Sequence, residues 1–290
     1  MSNITRRQFI KGTVAVGTAC TIGFPRLIRA QGLNEKLQVG FIAAGGQAGS
    51  HTGAAHGEGL QCIAFAEVDK TRWGGVLDKK GWENAAGYQD WRKVFEKHGK
   101  DLDVVFVATP DHSHFAPSMT AVSMGIHCYT EKPLTWSVRE AQLLAAAYAK
   151  NPKVVTQMGN QGHAGDGWRT AYEYVKAGAI GDIKEFHTWT NRPIWPQGGD
   201  RPDWSDPVPA TLDWDAWIGP AQMRPYAVYH DDKIGKAGEG VYHSFKWRGF
   251  VDFGSGALGD MACHTTDGIY AIMNPGYAAT AEPVIMTAPV

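Results

Sequence analysis

The chain lacks most of what a membrane protein, a disulfide-stapled domain or a nucleic-acid binder would need. No stretch beyond the first 30 residues is apolar for the roughly 20 residues that spanning a bilayer requires. Only four cysteines occur in 290 residues, none in C-x-x-C spacing, which argues against a disulfide framework or a zinc ribbon. Cys62 and Cys128 fall in strand-like runs and Cys263 near a helical one, so they read as buried free thiols. The 28 Lys and Arg residues nearly balance 29 Asp and Glu, giving a net charge of −1. With no basic patch, nucleic acid is not an expected partner. His112 and His114 have no acidic cluster beside them, so no metal site is expected. After the first strand, where a dinucleotide fingerprint would sit, a complete G-x-G-x-x-G is also missing.

At the N-terminus Thr5-Arg6-Arg7-Gln8-Phe9-Ile10-Lys11 precedes a mild apolar run from Gly12 to Phe24. Three glycines and three threonines interrupt that run, making it too short and polar for a membrane span. The pattern resembles a twin-arginine export signal, with Ile28-Arg29-Ala30 as an imperfect cleavage site and a mature start near Gln31. Residues 1–30 are therefore expected to be a signal peptide and the protein to be periplasmic or otherwise exported. This route carries folded proteins, which suits an enzyme that loads its cofactor first. The segment holds five Lys or Arg and no acid, so the mature chain is more acidic than the whole.

From Leu37 onward, short apolar strands alternate with helical patterns, which indicates a doubly wound parallel α/β sheet over residues 31–158. The runs Leu37–Ala43, Cys62–Ala66, Asp103–Ala108, Ile126–Thr130 and Lys153–Met158 read as strands. Helices are expected near Asp90–His98 and Ser137–Lys150. Ligands of such sheets lie beyond the carboxyl ends of the strands. Ala44-Gly45-Gly46-Gln47 follows the first strand, where a dinucleotide fingerprint belongs, with Ala43, Gly45 and Ala48 at its three glycine positions. Alanine at the first is a departure, since that glycine serves the tight turn. Glu67 ends the second strand 24 residues after Ala43, near the offset of an acid that binds ribose hydroxyls, with Asp69 close by. That acid favours NAD; Lys70 and Arg72 leave NADP open. Thr109-Pro110 and His114 would lie along the nicotinamide side, as would Glu131 and Lys132 after the fifth strand. Gln161 and His163 follow the next strand and are candidates for the ribose or substrate.

The stretches Val39–Ser50, Ala108–His114 and Glu131-Lys132-Pro133, followed by Asp260-Met261-Ala262-Cys263-His264, resemble the glucose–fructose oxidoreductase, inositol dehydrogenase and rhizopine catabolism family (Gfo/Idh/MocA). The resemblance runs from about Leu37 to Asp267. It implies a Rossmann domain followed by an α+β domain with an open sheet used for substrate binding and oligomer contacts. It also implies hydride transfer between a nicotinamide and a secondary alcohol of a sugar, cyclitol or derivative. The catalytic lysine, aspartate and histidine of the family fall on Lys132, Asp260 and His264. The residue chemistry agrees: Asp260 and His264 are four apart and share one helix face. His264 is a natural proton acceptor, and Lys132 can stabilise a developing alkoxide.

Residues 159–290 are assigned to the second domain, with a helix at Gly165–Gly178 and its first strand at Asp182–Thr190. Asn191–Gly249 is rich in Pro, Gly and Trp, and Trp247 and Arg248 are candidate substrate contacts. Family members normally continue through more strands, so the sheet is expected to be incomplete; with the full sheet, a homo-oligomer is expected. Two other readings stay open. One is an NAD-retaining glycosidase that uses transient oxidation and elimination; the other is a non-catalytic, truncated sugar-binding relative.

Overall fold

The structure, a computed structural model, describes residues 36–197, 200–274 and 276. The expected signal peptide and the start near Gln31 lie outside the described residues.

Six strands form one parallel sheet: β1 (Gln38–Ile42), β2 (Gln61–Ala66), β3 (Ala86–Tyr88), β4 (Val104–Val107), β5 (His127–Glu131) and β6 (Thr156–Gly159). Their order is β3-β2-β1-β4-β5-β6, with every neighbour parallel. The strand order reverses between β1 and β4, and a crevice opens there at the carboxyl ends. Helices α1 (Ala48–Gly57), α2 (Gly74–Leu77), α3 (Arg92–His98), α4 (Phe115–Ser123) and α5 (Val138–Lys150) connect the strands. Both faces of the sheet are covered, so the central strands are apolar throughout: Val39, Phe41, Phe65, Val105 and Val107 are buried. Two apolar clusters result, one per face. At the start of α5, the Ser137 side chain accepts from the Glu140 N–H, and the Glu140 carboxylate accepts from the Ser137 N–H. Cys62 and Cys128 are buried, and burial pushes the Cys62 thiol up to about 12.

Past β6 the chain forms α6 (Asp166–Lys176), α7 (Trp214–Ile218), α8 (Gly256–Thr265) and α9 (Asp267–Met273). A third core is largely aromatic, built on Trp214, Trp217, Tyr242, Trp247 and Phe253. Trp214 and Trp217 stack with centroids 4.7 Å apart. The strand expected at Asp182–Thr190 is not formed: these residues are largely exposed and belong to no ladder. Extended chain becomes a strand only when a neighbour takes its N–H and C=O groups, and no described strand lies beside it. Among the described residues, no helix is long and apolar enough to cross a membrane.

Candidate active site

The crevice at the ends of β1, β2, β4 and β5 is a cleft of about 590 Å³. It brings together fourteen of the sixteen residues expected from sequence to form the site, with Asp69 and His163 outside its lining.

On the nucleotide side, the turn after β1 begins at Ala43, whose φ is +95°. The chain thus makes the sharp turn that glycine normally makes, with alanine in a strained conformation. Gly46 follows at φ +57°, and no atom lies within 4 Å of where its side chain would project. The outer face of the loop is therefore bare, as close approach of a pyrophosphate requires. Glu67 is buried beneath it. Its Oε2 accepts from the Ala44 and Gly45 N–H groups at 2.9 and 3.1 Å, and its Oε1 accepts from Asp69 N–H at 3.1 Å. The Arg72 side chain lies against Gly45. These residues fit a dinucleotide: a turn whose face is open at Gly46, an acid at the ribose position, and a cleft in the ~300–1,000 Å³ range of cofactor sites. Asp69 sits just outside, capping the turn at Lys70–Arg72 and facing His243 Nε2 at 3.3 Å.

Glu131 adjoins Lys132 in the chain but does not pair with its ammonium. Successive residues at a strand end point in opposite directions. The Glu131 Oε1 stands 2.8 Å from His51 Nε2 and accepts from Gln161 Nε2 at 3.0 Å. Burial works to raise this carboxyl, but His51, Gln161 and the Lys132 N–H together hold it below the usual carboxylate value. Gln47 Nε2 reaches the same oxygen at 3.5 Å, so four groups converge on one carboxylate.

Lys132 turns instead toward α8. Its Nζ donates to Asp260 Oδ1 at 2.8 Å and to the Asp260 carbonyl at 3.0 Å. Arg248 Nε reaches the same Oδ1 at 3.4 Å. One turn along α8 is His264, half-buried in the cleft wall. Burial and then Lys132 push its imidazole below its ordinary value, against the opposing pull of Asp260. A proton acceptor is therefore free at neutral pH beside a cation that can hold an oxyanion.

The Rossmann side fixes α8 at both ends. Asp111 Oδ2 accepts from Ser255 N–H at 3.1 Å and Oγ–H at 2.7 Å, just before the helix starts. Asn160 Nδ2 donates to the Cys263 carbonyl at 2.6 Å. His112 Nε2 faces the Ile218 carbonyl of α7 at 3.1 Å, and burial pushes this imidazole down to about 4. His114 faces the Pro133 and Thr109 carbonyls, both at 2.7 Å. The histidine pair thus holds backbone around the cleft. His163 lies away from it, paired with Asp267 at 2.7 Å and packed against Trp168 with the two rings tilted. Asp111, His51 and His243 are site residues that the sequence reading did not select.

The fold and cleft define a dinucleotide-binding Rossmann protein with a second domain closing over the crevice. Residues 37–159 match the model of the oxidoreductase family with an NAD-binding Rossmann fold, and residues 186–285 match its C-terminal alpha/beta domain. The chain belongs to the Gfo/Idh/MocA family. It is 29% identical over 134 residues to levoglucosan dehydrogenase of Pseudarthrobacter phenanthrenivorans, covering 46% of this chain and 30% of that protein. It is 28% identical over 167 residues to inositol 2-dehydrogenase of Rubrobacter xylanophilus, covering 55% and 45%. The matched stretches thus span less than half the length of either relative. A solved myo-inositol dehydrogenase from Lactobacillus casei, in complex with NAD(H) and myo-inositol, aligns with a TM-score of 0.46 at 25% identity, covering 51% of this chain and 43% of that one.

Proposed function

We propose that the protein is an NAD-dependent oxidoreductase acting on a secondary alcohol of a sugar, cyclitol or derivative. The observation that carries this is the Lys132–Asp260 pair at 2.8 Å, with His264 one helical turn away, facing the cleft that the glycine turn and Glu67 open into. Gly45, Gly46, Gln47 and Glu67 would hold the pyrophosphate and ribose, and Thr109, Pro110 and Gln161 the nicotinamide half. NAD, when bound, supplies the hydride acceptor. His264 takes the hydroxyl proton as the carbinol carbon is oxidised, and Lys132 stabilises the charge that develops on oxygen. Asp260 fixes Lys132 and binds a substrate hydroxyl. Glu67 favours NAD over NADP by repelling a 2′-phosphate; Arg72, lying on Gly45 beside it, is the residue through which NADP would enter.

The first experiment denatures purified protein and identifies released nucleotide by absorbance and mass, then measures binding of added NAD and NADP. About one NAD(H) per chain, or NAD binding that exceeds NADP binding, supports the reading. Failure to bind either nucleotide overturns it. The glycosidase alternative uses the same Lys132 and His264; cleavage of a glycoside without net NADH would select it. We further propose export through the twin-arginine route. Replacing Arg6 and Arg7 by Lys should retain the protein in the cytoplasm, and unaltered export would remove this assignment.

A further inference from the structure

The substrate end of the cleft holds three cations, Lys132, Arg192 and Arg248. Lys132 and Arg248 both lean on one carboxylate, that of Asp260, at 2.8 and 3.4 Å. Arg192 lines the same cleft, and its Nη1 donates to the side chain of neighbouring Asn191 at 2.7 Å. Among the described residues no acid pairs with it. The segment that Arg192 opens packs on this wall, because a side chain at Gly249 would run into the Pro196 carbonyl and contact Trp195. The remaining acid facing this end is Asp111, already occupied by Ser255. Glu131, farther in, is taken up by His51 and Gln161. Lys132 and Arg248 share one carboxylate, and Arg192 has no acid of its own among the described residues.

Arg248 is also presented in a particular way. Its guanidinium carbon stands 4.2 Å from the Trp247 ring and 4.7 Å from the Phe245 ring. Aromatic contacts of this kind occupy the faces of the guanidinium and leave its N–H edge. Nη1 donates to the Phe245 carbonyl at 3.2 Å, and the described residues give Nη2 no hydrogen bond. A guanidinium fork held by rings is suited to the paired oxygens of a carboxylate or phosphate.

We propose that the substrate is an anionic sugar or cyclitol derivative. Its carboxylate or phosphate ester is bound by Arg192 and Arg248, while the reacting carbinol faces Lys132 and His264. The proposal rests on reading the cleft as an oxidoreductase site. A neutral polyol would strip water from Arg192 and Arg248 without returning a counter-charge, whereas an anion offsets that desolvation.

The test titrates the NAD-loaded full chain by calorimetry with hexuronates, hexose phosphates and the matching neutral hexoses, while reduced nicotinamide is followed in parallel. At least one anionic compound should bind about 10-fold or more tighter than its neutral counterpart, as expected for charge-assisted hydrogen bonds. R192Q and R248Q should each cut that preference about 10-fold, with a thermal melt and NAD binding confirming that each variant is folded; Arg192 is half-buried and holds no ion pair among the described residues. Preference for the hexuronates assigns a carboxylate; preference for the phosphates assigns a phosphate ester. Equal binding of anionic and neutral sugars, a preference that survives R192Q, or no binding of any anionic compound overturns the proposal. Tight anion binding with no nicotinamide reduction on any ligand would instead leave the subsite standing and count against the oxidoreductase reading.

Discussion

Replacing Ala43 by glycine should stabilise the protein, although it removes a methyl group from the wall of the cleft. Ala43 sits at φ +95°, well beyond the left-handed well near +57° that small L-residues visit, and its N–H is pinned to the Ala66 carbonyl at 2.8 Å. Holding alanine there costs on the order of 2 kcal/mol, within the range for sparsely populated backbone regions. Glycine relieves this. Against that gain stands the extra backbone entropy of glycine in the unfolded chain, about 0.5–1 kcal/mol. The lost methyl is only half-buried and costs a few tenths more by area, at about 25 cal/mol per Å². The net expectation is about 0.5–1 kcal/mol of added stability, or a Tm rise of about 1–4 °C for a chain of this size. Urea unfolding and thermal melts of the nucleotide-free protein would measure it, with NAD affinity followed alongside. A fall in Tm would refute the reasoning, because it would mean that the turn does not strain alanine. Unchanged or improved NAD affinity is expected, since the turn that glycine ordinarily makes here is retained.

Three further outcomes follow from the site. His264→Ala should cut turnover by about 10²–10⁴-fold while leaving nucleotide binding intact, and unchanged turnover would remove His264 from proton transfer. In Lys132→Met the His264 imidazole should titrate at higher pH than in the parent, because one of the two influences depressing it is gone; NMR titration of the ring would show this. His112 is depressed from 6.5 to about 4 by burial. Its neutral form therefore contributes stability that is fully present above pH 6.5 and lost as pH falls through about 4; the loss is on the order of 3 kcal/mol. Urea midpoints measured across that window should decline more steeply in the parent than in His112→Gln, and equal slopes would contradict the assignment.

The Rossmann half was readable because its central strands are buried on both faces and write themselves as apolar runs. β3 escaped notice: Ala86–Tyr88 is three residues long, and too short a run to show a period. Lys132, Asp260 and His264 could be grouped in advance because two short motifs fix them and helical spacing puts Asp260 and His264 on one face. The partners of Glu131, Asp111 and His163 could not. Glu131 adjoins Lys132 in the chain, yet strand geometry turns it toward His51 and Gln161. Asp111 finds Ser255 at a separation of 144 residues, and His163 finds Asp267 at 104, distances over which sequence carries no local pattern. Asp182–Thr190 has the composition of a strand, but pairing depends on a neighbour that composition does not supply.

The central claim is that this cleft moves a hydride between a carbinol carbon and a nicotinamide, and label transfer tests it most directly. NAD-loaded protein would be mixed with a bound sugar or cyclitol deuterated at its secondary carbinol carbons, and the nucleotide recovered for mass analysis. Deuterium in the nicotinamide of the parent, and its absence in His264→Ala, is the predicted result. Consumption of the ligand by the parent with no label reaching the nicotinamide would contradict the account.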